Sequence, residues 1–152
     1  MNDPLAFARR IALAKLATRA HSRAELEAAL QKKNVPGEVI EELLGRFGEV
    51  GLIDDAQFAA DWVRSRHERK HVSRSVLKRE LRARGVGEDE IAEALSPIDG
   101  ESELAAARAI AQKKAAAMTH LDEQVRTRRL AAALARRGFG SGVIASVLGE
   151  LR

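Results

Sequence analysis

Five consecutive residues, His67, Glu68, Arg69, Lys70 and His71, form the pattern H-E-x-x-H. On a helix this spacing places two imidazoles on one face, where they could hold Zn²⁺ while the glutamate acts as a general base. The two intervening residues and the flanking residues are basic, and this positive charge opposes the binding of a divalent metal ion. We therefore interpret the segment as a solvated helix end and predict no metal site and no catalytic residue.

Two neighbouring carboxylates, Asp54 and Asp55, could likewise serve acid–base chemistry or bind Mg²⁺. We favour a structural role, because aspartate is a common N-cap and a carboxylate in the first turn interacts favourably with the helix dipole.

The glycine-rich segment 138–142 is similar to a phosphate-binding loop only in composition, since no strand pattern precedes it. We interpret it as a turn between two helices.

The most pronounced charge feature is a basic run. Residues 64–84 contain nine Lys or Arg against two Glu, whereas residues 86–103 contain seven acids and no Lys or Arg. The best candidates for a binding surface are Arg74, Lys78 and Arg82, which are spaced to lie along one stripe of a helix, followed by Arg66 and Lys70. Such a run is either a solvated face or a surface for DNA phosphates or an acidic protein groove, and the residues leave both interpretations open.

An internal repeat organises the chain. Shifts of 51 and then 53 residues align five apolar positions in three copies, starting from Leu26, Leu30, Val35, Ile40 and Leu44. In the third copy, the positions of Arg74, Lys78 and Arg82 are occupied by Thr127, Ala131 and Ala135, so the fold does not require that charge.

Each copy is expected to contain a long helix followed by two short amphipathic helices. The long helices are predicted over residues 4–20, 54–70 and 101–118. Ser22 and Ser73 are equivalent N-caps of the middle helices, whereas the third middle helix is expected to begin earlier, near Asp122.

Three equivalent residues follow the middle helices: Asn34, Gly85 and Gly138. Asn and Gly enter the left-handed region at a helix C-terminus with little steric cost, so each is predicted to form the turn. No segment alternates as a strand would. We predict an all-α protein of three tandem three-helix repeats (1–53, 54–99 and 100–152) that form an elongated, curved stack.

The composition sets wider limits. The chain has 152 residues, of which 45% are hydrophobic and 32% charged, a formal net charge of +4 and no cysteine. No apolar stretch is long enough to span a bilayer and no secretory signal is visible, so we expect a cytoplasmic protein without disulfides. With four Phe, one Trp and no Tyr, it offers no series of aromatic platforms for stacked bases.

The segment 51–63, Gly-Leu-Ile-Asp-Asp-Ala-Gln-Phe-Ala-Ala-Asp-Trp-Val, resembles a characteristic segment of the bacterial regulatory protein RecX family. Further similarity comes from Glu25-Leu26 after Ser22, from the spacing of Leu77, Leu81 and Gly85, and from Arg137-Gly138-Phe139. The resemblance extends from about Leu5 to Leu151 and is weakest over residues 101–120.

The resemblance implies a non-enzymatic protein without a cofactor that binds along the groove of the RecA nucleoprotein filament. It also implies inhibition of the ATPase, strand-exchange and co-protease activities of RecA in DNA repair, homologous recombination and the SOS response, with direct DNA binding as a further property. The alternative is a stand-alone DNA-binding module. Neither function involves a membrane or a small-molecule substrate.

Overall fold

The computed structural model describes residues 3–151, and these form nine α-helices and no strand. The helices are α1 (Pro4–Thr18), α2 (Arg23–Lys32), α3 (Gly37–Glu49), α4 (Asp55–Lys70), α5 (Arg74–Ala83), α6 (Glu88–Leu95), α7 (Gly100–Ala116), α8 (Glu123–Arg136) and α9 (Ser141–Glu150). The predicted long helices correspond to α1, α4 and α7, with ends within two residues of those expected. The expectation of an all-α repeat fold is therefore confirmed.

Several helices, among them α1 and α2, start at side chains that accept backbone hydrogen bonds. Asp3 Oδ1 accepts from the amides of Leu5 and Ala6 at the start of α1. Ser22 and Glu25 form a capping box at α2, because Ser22 Oγ accepts from the Glu25 amide while the Glu25 carboxylate accepts from the Ser22 amide. Each bond satisfies an amide that the helix leaves unpaired.

The second and third copies begin their middle helices as predicted. Ser73 Oγ accepts from the Val76 amide at the start of α5. The residue before α8 is Asp122, so this helix starts a full turn earlier relative to the repeat.

The three predicted turn residues all adopt positive φ, which is 60° at Asn34, 76° at Gly85 and 88° at Gly138. Each follows the middle helix of its copy and reverses the chain toward the next helix. The glycine-rich segment after α8 is thus the interhelical turn that the repeat alignment predicted. Positive φ at Asn34 agrees with the tolerance of asparagine for this region.

The chain forms two compact units. Unit 1 comprises residues up to 61 together with 81–93, and unit 2 comprises residues 62–80 together with those from 94 onward. The core of unit 1 contains Leu26, Leu30, Ile40, Leu44 and Phe47. The core of unit 2 contains Ala107, Ile110, Leu134, Phe139 and Val147. The repeat boundaries at residues 53 and 99 stay a prediction.

Within unit 1, the start of α2 is bonded to two later segments. Ser22 Oγ donates to the carbonyl oxygen of Arg84 at 2.6 Å, and the Arg23 amide donates to Asp55 Oδ1 at 2.9 Å. A Cβ atom added to Gly85 would lie 2.2 Å from Ala24 Cβ. The glycine therefore allows the turn after α5 to approach the first turn of α2.

Within unit 2, the start of α5 is bonded in the same way. Ser73 Oγ donates to the carbonyl oxygen of Arg137, and the Arg74 amide donates to Glu103 Oε1, both at 2.8 Å. A Cβ atom on Gly138 would lie 2.6 Å from Ser73 Oγ. The same junction, made by a serine, a carboxylate and a glycine, thus occurs twice in the chain.

None of the helices in residues 3–151 is long and apolar enough to cross a membrane.

Candidate partner-binding surface

The five basic residues singled out from the sequence occupy two consecutive helices. Arg66 and Lys70 lie on α4, and Arg74, Lys78 and Arg82 lie at successive four-residue intervals on α5. We call these five residues the basic stripe. All are exposed except Arg66, which is half-buried. Their side chains differ in how far they are engaged within the protein, and this decides which of them can offer charge to a partner.

Arg66 is held by groups of unit 2. Its Nε donates to Glu80 Oε1 at 3.1 Å, and its second guanidinium nitrogen completes a bidentate ion pair with the same carboxylate. Trp62 Nε1 also donates to Glu80 Oε1, and the Arg66 guanidinium lies 5.8 Å from the centre of the Trp62 ring. The hydrogen bond to Glu80 raises the pKa of Arg66, so it keeps its charge in this pair. Arg66 therefore fixes α4 against α5.

Arg74 also has a structural role. Its Nη1 donates to the carbonyl oxygens of Leu95 at 3.0 Å and Ile98 at 2.8 Å, which lie at the end of α6 and just beyond it. Its own amide donates to Glu103. Replacing the Arg74 side chain therefore removes the two guanidinium bonds to the end of α6 and just beyond it, in addition to removing a surface charge, while the amide bond to Glu103 remains.

Arg82 forms an ion pair with Glu88, with Nε to Oε1 at 2.7 Å, inside unit 1. Both side chains are more than half exposed, and the bond to Glu88 raises the pKa of Arg82. The pair is a surface contact of small net energy. Arg82 could therefore exchange Glu88 for an external anion at little cost.

Lys70 and Lys78 are exposed and make no hydrogen bond or ion pair with any residue of the described chain. Arg69 and Arg79 are also exposed and unbonded, although they do not belong to the basic stripe, whose residues are spaced four apart. No residue of this group has an acid three or four positions away on its helix. The sequence alone could not have separated these four free cations from Arg66 and Arg82, because the acids that pair with the latter come from other helices.

The H-E-x-x-H pattern does not form the arrangement that zinc binding needs. α4 ends at Lys70, and His71 follows it with a φ of 55°, so the two imidazoles do not share a helix face. His67 Nδ1 lies 2.9 Å from the carbonyl oxygen of Val72 and thus belongs to the helix C-terminus. Among the described residues, no group of three or more His, Cys, Asp or Glu side chains is arranged to hold a metal ion.

The paired carboxylates have the structural role that was favoured. Asp54 Oδ1 accepts from the Gln57 amide at 3.1 Å and so caps α4. Asp55 accepts instead from the Arg23 amide, a bond that joins the starts of α4 and α2. The two residues of this second contact are 32 positions apart, so the local sequence pattern could not predict it.

The fold and these surface residues define an all-α repeat protein of three-helix units with free cations on two consecutive helices. Three family models match in chain order: RecX first three-helix domain over residues 8–47, second over 54–95 and third over 101–148. The chain belongs to the RecX family. Its helical repeats and the resemblance drawn from residues 51–63 are thereby confirmed.

Similar proteins carry the same family name. Regulatory protein RecX of Thermobifida fusca is 44% identical over 93% of this chain and 76% of its own length. Regulatory protein RecX of Streptomyces coelicolor is 43% identical over 96% and 78%. The crystal structure of RecX from Lactobacillus salivarius has a TM-score of 0.88 at 21% identity, covering 99% of this chain and 98% of that chain, and this likeness shows the fold alone. A second crystal structure of a regulatory protein RecX has a TM-score of 0.86 at 26% identity, covering 95% and 73%.

Proposed function

We propose that this chain binds the RecA nucleoprotein filament and inhibits its ATPase, recombinase and co-protease activities, in the cytoplasm and in the context of DNA repair, homologous recombination and the SOS response. The observation that carries the proposal is the match of all three RecX domains, in order, across the chain. The protein acts by binding alone, without a cofactor and without catalysing a reaction.

The basic stripe supplies the contact with an anionic surface of the filament. Lys70 and Lys78 contribute most, because their ammonium groups are exposed and no internal acid neutralises them. Arg82 contributes by exchanging Glu88 for an external carboxylate or phosphate. Arg66 and Arg74 contribute chiefly by holding α4 and α5 in position, since both guanidinium groups are bonded within unit 2.

A bound protein of this kind inhibits by occupying a surface that RecA uses. A cationic surface attracts anions over several ångströms and speeds the encounter with them, while the apolar and hydrogen-bonded contacts that follow determine how long the complex lasts. The affinity is therefore expected to fall as salt rises, because exposed charges are screened.

The second candidate is a stand-alone DNA-binding module, and the excess of nine cations over two acids in residues 64–84 favours it. Each phosphate that a protein neutralises releases counterions, so binding of this type is strong at low salt and falls steeply as salt is added. A filament regulator instead prefers RecA-coated DNA to naked DNA at the same salt concentration.

The test is RecA ATP hydrolysis on single-stranded DNA, titrated with this protein up to an equimolar ratio. A parallel measurement of binding to naked DNA is made in the same buffer. We expect inhibition below the equimolar point together with weak binding to naked DNA. Strong binding to naked DNA without inhibition would contradict the filament proposal and establish the DNA-binding module.

A further inference from the structure

The repeated junction defines a type of socket. In both junctions, the N-terminus of a middle helix lies against the first helix and the interhelical turn of the following copy. In unit 1 the socket is formed by α4, with Asp55, and by the turn at Arg84 and Gly85, and it holds the start of α2. In unit 2 it is formed by Glu103 of α7 and by the turn at Arg137 and Gly138, and it holds the start of α5.

The first copy contains the same two elements, α1 and the turn after α2, but no described segment fills the space between them. A groove of about 600 Å³ remains there. Its lining includes Pro4, Phe7 and Arg10 of α1 together with Asn34 and Pro36 of the turn. No described group donates to the carbonyl oxygen of Lys33, which is equivalent to the bonded carbonyls of Arg84 and Arg137. We call this groove the first socket.

One aromatic residue of the first socket is far more exposed than its equivalent in the second copy. Phe7 and Phe58 are equivalent in the repeat, but Phe7 is 41% exposed and Phe58 only 7%. An exposed aromatic ring in a concave groove is a common anchor point for a partner side chain.

The first copy differs from the second at three positions, and these differences make the first socket unsuitable for another helix start like those of α2 and α5. Pro4 stands where the second copy has Asp55, so the carboxylate that receives the helix amide is missing. Asn34 stands where the second copy has Gly85, at which even a Cβ atom would overlap the neighbouring helix. Arg10 replaces an acid, Asp61, and thus reverses the charge.

The charge around the first socket favours an acidic occupant. Arg10 makes no hydrogen bond or ion pair within the described chain, and Lys33, next to Asn34, is likewise exposed and free. The carboxylate of Asp3 is occupied with the amides of Leu5 and Ala6. The groove therefore combines an exposed aromatic ring with one lining cation, Arg10, that has no internal partner in the described chain, while Lys33 lies just outside its lining.

We propose that the first socket is a docking site for an acidic segment of a partner protein, which places a bulky apolar side chain on Phe7 and Pro36 and a carboxylate on Arg10. This site is separate from the basic stripe on α4 and α5. It needs neither RecA nor DNA and stands independently of the function proposed above.

The experiment uses the full chain labelled with ¹⁵N and three short capped peptides. The first peptide contains Asp, Glu, Leu and Phe, the second has Lys and Arg in place of the acids, and the third has Ala in place of Leu and Phe. We expect only the first peptide to shift the amide resonances of Phe7, Arg10, Asn34 and Val35 in a saturable manner. Arg10→Glu and Phe7→Ala should each weaken this binding about tenfold or more.

Matched substitutions on the same helix provide the controls. Lys15→Glu repeats the charge reversal, and Leu13→Ala repeats the loss of an exposed apolar side chain, at positions that do not line the first socket. Both should leave the affinity for the acidic peptide unchanged. Equal effects of control and test variants, binding of the basic peptide, or no saturable shift with any peptide would overturn the proposal. Concentration-dependent self-association in sedimentation that Phe7→Ala abolishes would do so as well, because the occupant would then be a second copy.

Discussion

Two glycines, Gly85 and Gly138, lie where neighbouring copies approach each other too closely to admit a Cβ atom. Gly85 combines a φ of 76° with a position where a Cβ atom would lie 2.2 Å from Ala24 Cβ. Two separate costs therefore oppose any other residue there. One is the left-handed backbone, and the other is the overlap with α2.

The two costs can be separated by comparing the variant Gly85→Ala with the variant Gly51→Ala. Gly51 has a similar φ of 78°, but nothing lies within 4 Å of the position of its Cβ. We expect Gly51→Ala to lower the free energy of unfolding by about 1 kcal/mol, from backbone strain alone. Gly85→Ala should lower it by about 2–4 kcal/mol, because overpacking adds to the strain. Urea denaturation followed by circular dichroism measures both values, and equal losses would contradict the proposed overlap.

The charge state of Glu25 is tied to helix capping, because its carboxylate completes the capping box of α2. Burial alone raises its pKa, but the hydrogen bonds from the Arg19 side chain and the Ser22 amide outweigh this effect and hold the pKa below its ordinary value. A carboxylate with a lowered pKa stabilises the folded state above its unfolded pKa, and this stabilisation is lost as the pH falls through the folded pKa.

Glu25→Gln is therefore expected to be less stable than the parent protein at neutral pH, by about 1 kcal/mol or less because Arg19 is half exposed. The difference should disappear in acid, where the parent carboxyl is protonated as well. Thermal melts of both proteins across a pH series test this. A difference that persists at low pH would show that the substitution disturbs packing rather than charge.

At the scale of elements, the middle helices of the first two copies, α2 and α5, are each held at the first turn. Ser73 accepts from the Val76 amide of its own helix and donates to the carbonyl oxygen of Arg137, 64 residues away. The first role could be predicted from the position of a serine before an amphipathic pattern. The second could not, because a hydrogen bond to a distant carbonyl leaves no periodic trace in the sequence.

Ser73→Ala removes both bonds and leaves the carbonyl oxygen of Arg137 without this donor. The loss of the cap and of the donor together should lower the free energy of unfolding by about 2 kcal/mol. Ser146→Ala, on the exposed face of α9, is the matched control and should change it by less than about 0.5 kcal/mol. If the two variants unfold at the same urea concentration, the junction does not contribute to stability as described.

The elements also show how far the sequence determines the candidate surface. The repeat alignment was sufficient to predict the helices and the three turns, since both depend on local spacing and backbone preference. The charge pattern of residues 64–84 and its four-residue spacing identified the basic residues. It could not show that Arg74 bonds the carbonyls of Leu95 and Ile98 while Lys78, one turn further along α5, remains free, because these contacts depend on segments that meet only in the folded chain.

At the scale of the whole molecule, the proposed inhibition of RecA must be separated from the stability of the fold. Replacing Arg74 with an acidic residue would remove its guanidinium bonds within unit 2. A loss of inhibition in that variant would therefore not show that Arg74 contacts RecA. Lys70 and Lys78 allow a cleaner test, because their ammonium groups have no partner in the described chain. Substitution at these positions changes the surface charge and leaves the internal hydrogen bonds in place.

The double variant Lys70→Glu with Lys78→Glu should raise the concentration needed to inhibit RecA ATP hydrolysis by about tenfold or more at low salt, because it replaces attraction by repulsion. The ratio to the parent protein should shrink as salt screens these exposed charges. Lys32→Glu with Lys113→Glu makes the same change in net charge at exposed lysines outside the basic run, and should inhibit like the parent. The helical circular dichroism signal and melting temperature of both variants serve as the folding check. Equal losses in the two double variants would mean that net charge, rather than the surface on α4 and α5, governs binding, and unchanged inhibition in the first would remove these lysines from the contact.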